Sequence, residues 1–294
     1  MISLHKPIST LNTREQLNFL MTNRIPRRLS TQLIGWFSKI KHPLIAKFSI
    51  FIWSLFAEDL RLKDAKKDQF DSLQDCFIRE LKPGLRPIEK SNDVITSPCD
   101  AIVGECGRIL GNTVLQAKGF PYELNELMPN TQSWEKYKNG IYITLRLKSS
   151  MYHRFHAPVD CNVSHVNYLS GDTWNVNPIA LKKVEKLFCK NERAIIELNT
   201  PDHAGSITLV PVAAILVASM KFHFLPKPLD MKYKGPNHIP CHANFNKGDQ
   251  MGYFQHGSTI IVFASQNYAL AKGIQTGQRI NMGEALLTGH QSPA

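Results

Sequence analysis

Apolar and polar positions change rhythm along this chain near residue 60. From Leu33 to Phe56 large apolar side chains crowd together, among them Trp36, Phe37, Leu44, Phe48, Phe51, Trp53 and Phe56. Lys39, Lys41 and Lys47 interleave with them, and Pro43 splits the run into two helices with tryptophan-bearing faces and lysine edges. A shorter helix starts at Thr13, with Glu15 and Gln16, and runs toward Asn23. Arg24, Arg27 and Arg28 then form a basic patch around Pro26. A charged helix from Asp68 to Leu81 leads through Lys82-Pro83-Gly84 into a remainder dominated by alternating, β-branched segments. Strands are expected at Ala101 to Ile109, Thr113 to Lys118, Gly140 to Leu147, Asn162 to Leu169, Ala194 to Leu198 and Ile207 to Met220. Two more flank a Gly-Ser step, at Met251 to Phe254 and Ile260 to Phe263. Helical interruptions are expected at Tyr122 to Met128 and Pro178 to Cys189. The fold class is therefore α+β: N-terminal helices followed by a mostly antiparallel β core with a few helices. A helical region over 1–65 precedes a second, β-rich region over 66–294.

Composition sharpens this picture. Of 294 residues, 43% are hydrophobic and 20% charged, enough for a sizeable core, and the formal net charge of +11 calls for an anionic partner. The apolar run after Lys47 ends at Glu58, short of the roughly 20 residues that span a bilayer, and no signal-peptide pattern opens the chain. Two apolar helices with lysine edges suit attachment at a membrane surface instead. Glu15 is the sole acidic residue before Glu58, which favours anionic lipid. A hairpin packed on the protein's own core is the competing reading. A transit peptide ranks lower, because the apolar helices follow with no spacer. Six cysteines form no Cys-x-x-Cys pair and read as reduced thiols. His238-Ile239-Pro240-Cys241-His242 has the look of a metal corner but lacks a second cluster of matching spacing.

Three segments carry candidate chemistry. In His256-Gly257-Ser258-Thr259 a Gly-Ser bond stands between two strands. A serine hydroxyl can attack its own preceding carbonyl when a base is near, and glycine leaves that carbonyl unhindered. Alone, such a tripeptide is more often an ordinary turn. In Tyr152-His153-Arg154-Phe155-His156-Ala157-Pro158, Pro158 argues against a helix, so His153 and His156 belong to an extended or turning segment with different partners. Ser97-Pro98-Cys99-Asp100-Ala101 places a carboxylate before an apolar strand, where Asp100 could orient a histidine or simply serve a turn.

Taken jointly and in order, these blocks resemble the phosphatidylserine decarboxylase proenzymes of bacteria and mitochondria. Arg79-Glu80-Leu81-Lys82-Pro83-Gly84-Leu85-Arg86-Pro87-Ile88 and Lys247-Gly248-Asp249-Gln250-Met251-Gly252-Tyr253-Phe254 extend the likeness from Phe70 to the C-terminus. His256 replaces the family's usual aliphatic residue, which bears on cleavage rate, and Ala101 replaces a glycine.

The resemblance implies two chemistries at one site. His156, held by Asp100, acts as base while Ser258 attacks the Gly257 carbonyl. Ester formation and β-elimination then separate residues 1–257 from 258–294 and convert Ser258 into a pyruvoyl cofactor. That group forms a Schiff base with phosphatidylserine and stabilises the carbanion left by CO₂, with His153 as the acid that protonates it. The roles of the two histidines come from the resemblance alone. The partners implied are phosphatidylserine, an anionic membrane surface and the two cleaved chains as a heterodimer, with a dimer of heterodimers left open and no nucleic acid. The location implied is peripheral, on the cytoplasmic side of the cell inner membrane. Competing readings are an esterase or amidase using Ser258, His156 and Asp100, a pyruvoyl decarboxylase of free amino acids, and a non-enzymatic basic docking module. Against the first, Ile260 stands where a Gly-x-Ser-x-Gly elbow needs its second glycine.

Overall fold

The computed structural model describes residues 26–57, 59–117, 120–129, 132–200, 205–215, 219–255 and 258–289. The expected helix from Thr13 to Asn23, Arg24, Glu58, His256 and Gly257 lie outside the described residues. Helices α1 (Arg27–Phe37) and α2 (Pro43–Phe56) occupy the apolar N-terminal stretch. Pro43 opens α2 at its first turn, where a missing N–H costs nothing. Neither helix is long and apolar enough to cross a membrane, and no other described helix is.

The charged helix expected from Asp68 to Leu81 is only α3 (Leu73–Phe77). The Asp75 carboxylate explains the early boundary. It accepts the Asp71 N–H and the Lys67 ammonium, bending residues before Ser72 into a turn. Ser72 caps α3, its Oγ accepting the Asp75 N–H at 3.1 Å. Past α3 the chain runs extended, and Leu81 bridges back to Ala65.

The β region comprises β1 (Val94–Thr96), β2 (Ala101–Arg108), β3 (Thr113–Ala117) and β4 (Phe120–Glu123), then α4 (Leu124–Leu127). It continues through β5 (Ile141–Leu147), β6 (Arg154–His156), β7 (Cys161–Leu169), α5 (Pro178–Leu181), α6 (Leu187–Lys190), β8 (Arg193–Leu198) and β9 (Ile207–Ala213). The last strands are β10 (Ser219–Phe222), β11 (Leu229–Asp230), β12 (His238–Phe245), β13 (Gln250–Phe254), β14 (Ser258–Ala264), β15 (Tyr268–Leu270), β16 (Arg279–Ile280) and β17 (Ala285–Gly289). Every described pairing between these strands is antiparallel.

Eight strands form the main sheet in the order β12-β7-β8-β9-β14-β5-β2-β16. Beside it lie a four-stranded sheet, β11-β10-β13-β6, a three-stranded one, β1-β17-β15, and the β3-β4 hairpin. Both faces of the main sheet are covered, so β9 and β14 are buried at every residue. Ile260 and Val262 point into one core with Phe155, Phe222 and Phe254 of the four-stranded sheet. Ile261 and Phe263 point into the other, under Tyr122, Leu124, Leu181 and Phe188.

Three expected elements are corrected. Ile207 to Met220 is two strands, β9 and β10, in different sheets. β9 and the start of β10 are alike buried in a largely apolar run, so the sequence carries no mark of the division between them. Tyr122 belongs to β4, and helix begins only at Leu124, where the Glu123 and Glu126 side chains make a capping box. Pro178 to Cys189 divides into α5 and α6, separated at Lys186 by a left-handed backbone.

Candidate active site

Three neighbouring strands of the main sheet turn the same corner. β5, β9 and β14 lie side by side, and Ser258 pairs with Leu147 on one flank and Ala213 on the other. Beyond the corner, β6, β10 and β13 lie side by side in the four-stranded sheet. Each strand of the first trio is thus next in sequence to one of the second. Ser258 is the first residue of the middle strand, β14. Main-chain bonds close the corner: Phe254 N–H donates to the His153 carbonyl at 3.0 Å and Gln255 N–H to the Ser219 carbonyl at 3.1 Å.

Ser258 is wholly buried, and its hydroxyl has no hydrogen-bond partner among the described residues. An unsatisfied buried hydroxyl costs about 1–3 kcal/mol, a cost structure alone does not require at a strand end. Alternation along β14 turns Ser258 to the same face as Ile260 and Val262, toward the four-stranded sheet. Gly257 and His256, the other half of the candidate cleavage site, lie outside the described residues.

His153 stands at this corner, fully buried. Its Nδ1 donates to the Met151 carbonyl at 2.8 Å, so the neutral ring keeps its lone pair on Nε2 and carries a second, transferable proton there only as the cation. The Phe77 ring lies against the imidazole, with centroids 4.0 Å apart. On β6, Phe155 faces the core, and Arg154 and His156 take the opposite face.

His156 belongs to a second cluster. Its Nδ1 donates to the Gly248 carbonyl at 2.8 Å, so the neutral ring keeps its lone pair on Nε2. The Tyr152 hydroxyl donates to that nitrogen at 3.0 Å. Burial pulls the imidazole below its ordinary pKa; the Gly248 bond and the Asp100 charge oppose that shift. Burial likewise raises the Tyr152 phenol. Asp100 reaches His156 through its field rather than a hydrogen bond. Arg86 takes both carboxylate oxygens, Nε to Oδ1 at 2.8 Å, and Met282 N–H adds a third bond at 3.0 Å. The pairing raises the Arg86 pKa.

The four residues singled out in the sequence thus fall into two groups: Ser258 and His153 at the corner, Asp100 and His156 in the adjoining cluster. The chain links them, since Tyr152 precedes His153 and the His156 N–H donates to the Pro98 carbonyl at 2.8 Å. Sequence reading missed Tyr152, Arg86 and Phe77 as members. Tyr152 and Arg86 lie within quoted segments and Phe77 two residues before one, yet none carries a chemical signature of its own. The six cysteines are free thiols, and no described group of three His, Cys, Asp or Glu side chains is placed to hold a metal.

Comparison with known proteins adds a separate line of evidence. Residues 73–288 match the family model described as phosphatidylserine decarboxylase. The chain is similar to the phosphatidylserine decarboxylase proenzyme of Brevibacillus brevis, 34% identical over 234 residues, 78% of this chain and 83% of that protein. It is 33% identical over 277 residues to the proenzyme of that name from Haemophilus influenzae, covering 89% and 92% of the two chains. The Francisella tularensis subsp. novicida proenzyme is 33% identical over 256 residues, 85% and 88% of the two.

Proposed function

The chain belongs to the phosphatidylserine decarboxylase family, and we propose that it cuts itself at Gly257-Ser258 and then converts phosphatidylserine to phosphatidylethanolamine and CO₂. The observation that carries this reading is Ser258 itself, a buried serine with an unpartnered hydroxyl at the start of a central strand.

In the cleavage, Ser258 Oγ attacks the Gly257 carbonyl carbon and its proton passes through the Tyr152 hydroxyl to His156 Nε2. Burial keeps that imidazole neutral and able to accept, and Asp100 stabilises the cation that results. The amide becomes an ester and the Ser258 nitrogen is released as an amine. Loss of the Ser258 Cα proton expels the ester as the carboxylate of Gly257. The remaining dehydroalanine takes up water and loses ammonia, which leaves a pyruvoyl group at the head of β14.

The surrounding residues fit that group. It derives from Ser258, needs no further ligand, and stands among the apolar side chains of Leu147, Ala213 and Ile260. A pyruvoyl group supplies an electrophilic carbonyl that takes up the substrate amine and draws in the electrons left by departing CO₂. His153, once protonated on Nε2 as the imidazolium, can give that proton to the substrate carbon and return to the neutral ring, which Met151 and Phe77 hold in place.

The lipid is met at a surface. α1 and α2 expose Leu33, Trp36, Leu44, Phe48, Phe51 and Phe56, with Trp36 68% and Phe56 86% exposed. These side chains, with the net charge of +11, support docking on an anionic bilayer, for which we take the cytoplasmic leaflet. The two chains left by cleavage remain one heterodimer.

The deciding experiment is intact mass of the purified, denatured protein beside Ser258→Ala, followed by lipid analysis on phosphatidylserine vesicles. A fragment starting at residue 258 with a pyruvoyl end, together with phosphatidylethanolamine formation, is expected for the wild type alone. An uncleaved yet active Ser258→Ala protein would overturn the reading.

A further inference from the structure

We infer that Phe77 is a positioning residue for His153 and ties its imidazole to the apolar helix pair, so that seating α2 in lipid sets the geometry of the active corner. This rests on the role proposed for His153.

A short run of chain, Phe77 to Arg79, grips the loop that carries this histidine from several sides. The Phe77 ring, 2% exposed, covers one face of the imidazole at 4.0 Å between centroids and 36° between planes. Two residues on, the buried Arg79 guanidinium donates to the Ser150 carbonyl at 2.8 Å, three residues before His153. It also holds the Leu60 carbonyl at 2.8 Å and the Cys76 carbonyl at 3.1 Å. Arg154, immediately after His153, donates from Nε to the Ile78 carbonyl at 2.8 Å. The loop on both sides of the histidine, and the ring itself, are thus fastened to the end of α3.

α3 is in turn fastened to the helix pair. Trp53 of α2 stacks on Phe77, with centroids 5.7 Å apart and planes 29° apart. The Gln74 N–H donates to the Ser38 carbonyl, just past α1, at 2.9 Å. On the same helix as Trp53, Phe48, Phe51 and Leu55 face outward, more than half exposed. One continuous stack, Trp53–Phe77–His153, leads from the helix that meets lipid to the group that meets substrate. Packed aromatic rings transmit displacement, because the interior has no free volume to absorb it. A shift of α2 on entering a bilayer therefore moves Phe77 against His153. Such a shift matters for a proton donor, whose rate depends on placement within about an ångström.

The test uses the full chain after maturation, as wild type, Phe77→Leu, Phe77→Tyr, Trp53→Ala and His153→Ala. Each is scored for cleavage by intact mass and for kcat and KM at saturating lipid. Two substrates are used: phosphatidylserine in phosphatidylglycerol vesicles, and dihexanoyl phosphatidylserine as dispersed monomers. Phe77→Leu should mature completely and lose about 10- to 100-fold in kcat with KM within about threefold, as expected when a proton donor is displaced rather than a binding group removed. Phe77→Tyr, which keeps the ring, should recover most of that loss. Wild type should turn over faster on vesicles than on monomers, and Trp53→Ala should erase the difference.

A wild-type kcat in Phe77→Leu, or equal loss in the leucine and tyrosine variants, overturns the positioning role. A vesicle advantage that survives Trp53→Ala overturns the link to α2. A fully active His153→Ala overturns the underlying assignment of the histidine, and an inactive one beside a fully active Phe77→Leu overturns the inference alone.

Discussion

Arg86 closes on both carboxylate oxygens of Asp100, fourteen residues further along the chain, with the aspartate side chain 1% exposed and the arginine 10%. Burying one member of such a pair alone is costly, so Arg86→Met is expected to destabilise the fold by about 3–5 kcal/mol. Thermal melting measures that loss. Asp100, released from the guanidinium, would also stabilise a cationic His156 more strongly. If Arg86→Met melts with the wild type, the pair is ornamental and Asp100 needs another partner.

Cleavage and decarboxylation should separate by variant. Tyr152→Phe removes the hydroxyl on His156 Nε2 and is expected to slow self-cleavage about 10²-fold, the size of a lost proton-transfer group, with slow maturation followed by gel mobility. His153→Ala should mature at the normal rate and then make no phosphatidylethanolamine. Unprocessed His153→Ala would assign that histidine to the first reaction and redraw the division between the two clusters.

The pH dependence of maturation follows from the buried His156. Its pKa is lowered, chiefly by burial, so the neutral form that accepts a proton persists below the ordinary histidine value near 6.5. As pH falls from 7, cleavage should hold its rate through that value and fall only at more acidic pH. A rate that halves at or above the ordinary histidine pKa would contradict the environment described for this ring.

Docking on lipid should depend on the outward face of α1 and α2. Replacing Trp36, Phe48 and Phe56 together by asparagine removes three exposed apolar side chains without touching the core. Each is worth about 1.5–3 kcal/mol when buried, so vesicle co-sedimentation should weaken by at least about tenfold. Turnover of dispersed dihexanoyl phosphatidylserine should persist, because none of the three belongs to the Trp53–Phe77–His153 stack.

Much of this was legible in the sequence, for identifiable reasons. Alternation and β-branching located β2, β5, β7 and β8 to within a residue or two, because a strand between two covered faces is written in local composition. The division of Ile207 to Met220 between two sheets was not legible, since β9 and the start of β10 are both buried in a largely apolar run. Nor was the shortness of α3, which is set by Asp75 turning back to Lys67 and Asp71. Ser258, the two histidines and Asp100 were found as motifs. Their grouping was hidden, because it depends on contacts such as Phe77 with His153, seventy-six residues apart, or Arg86 with Asp100. The resemblance makes Asp100 the partner of His156; the guanidinium that holds it belongs to Arg86, in a segment that carries the resemblance but no sign of this pairing.

The place of β14 has a last consequence. Residues beyond 258 supply the fifth of eight strands in the main sheet, its edge strand β16, and β15 and β17 of the three-stranded sheet. A cut before Ser258 severs the backbone at the middle of the fold and leaves both pieces interlaced. Before the cut, unfolding and refolding are events in one molecule. Afterward refolding is a meeting of two, so its equilibrium depends on concentration and at high dilution turns against the assembled form. The processed protein then endures by the slowness of its unfolding, a lifetime rather than a balance.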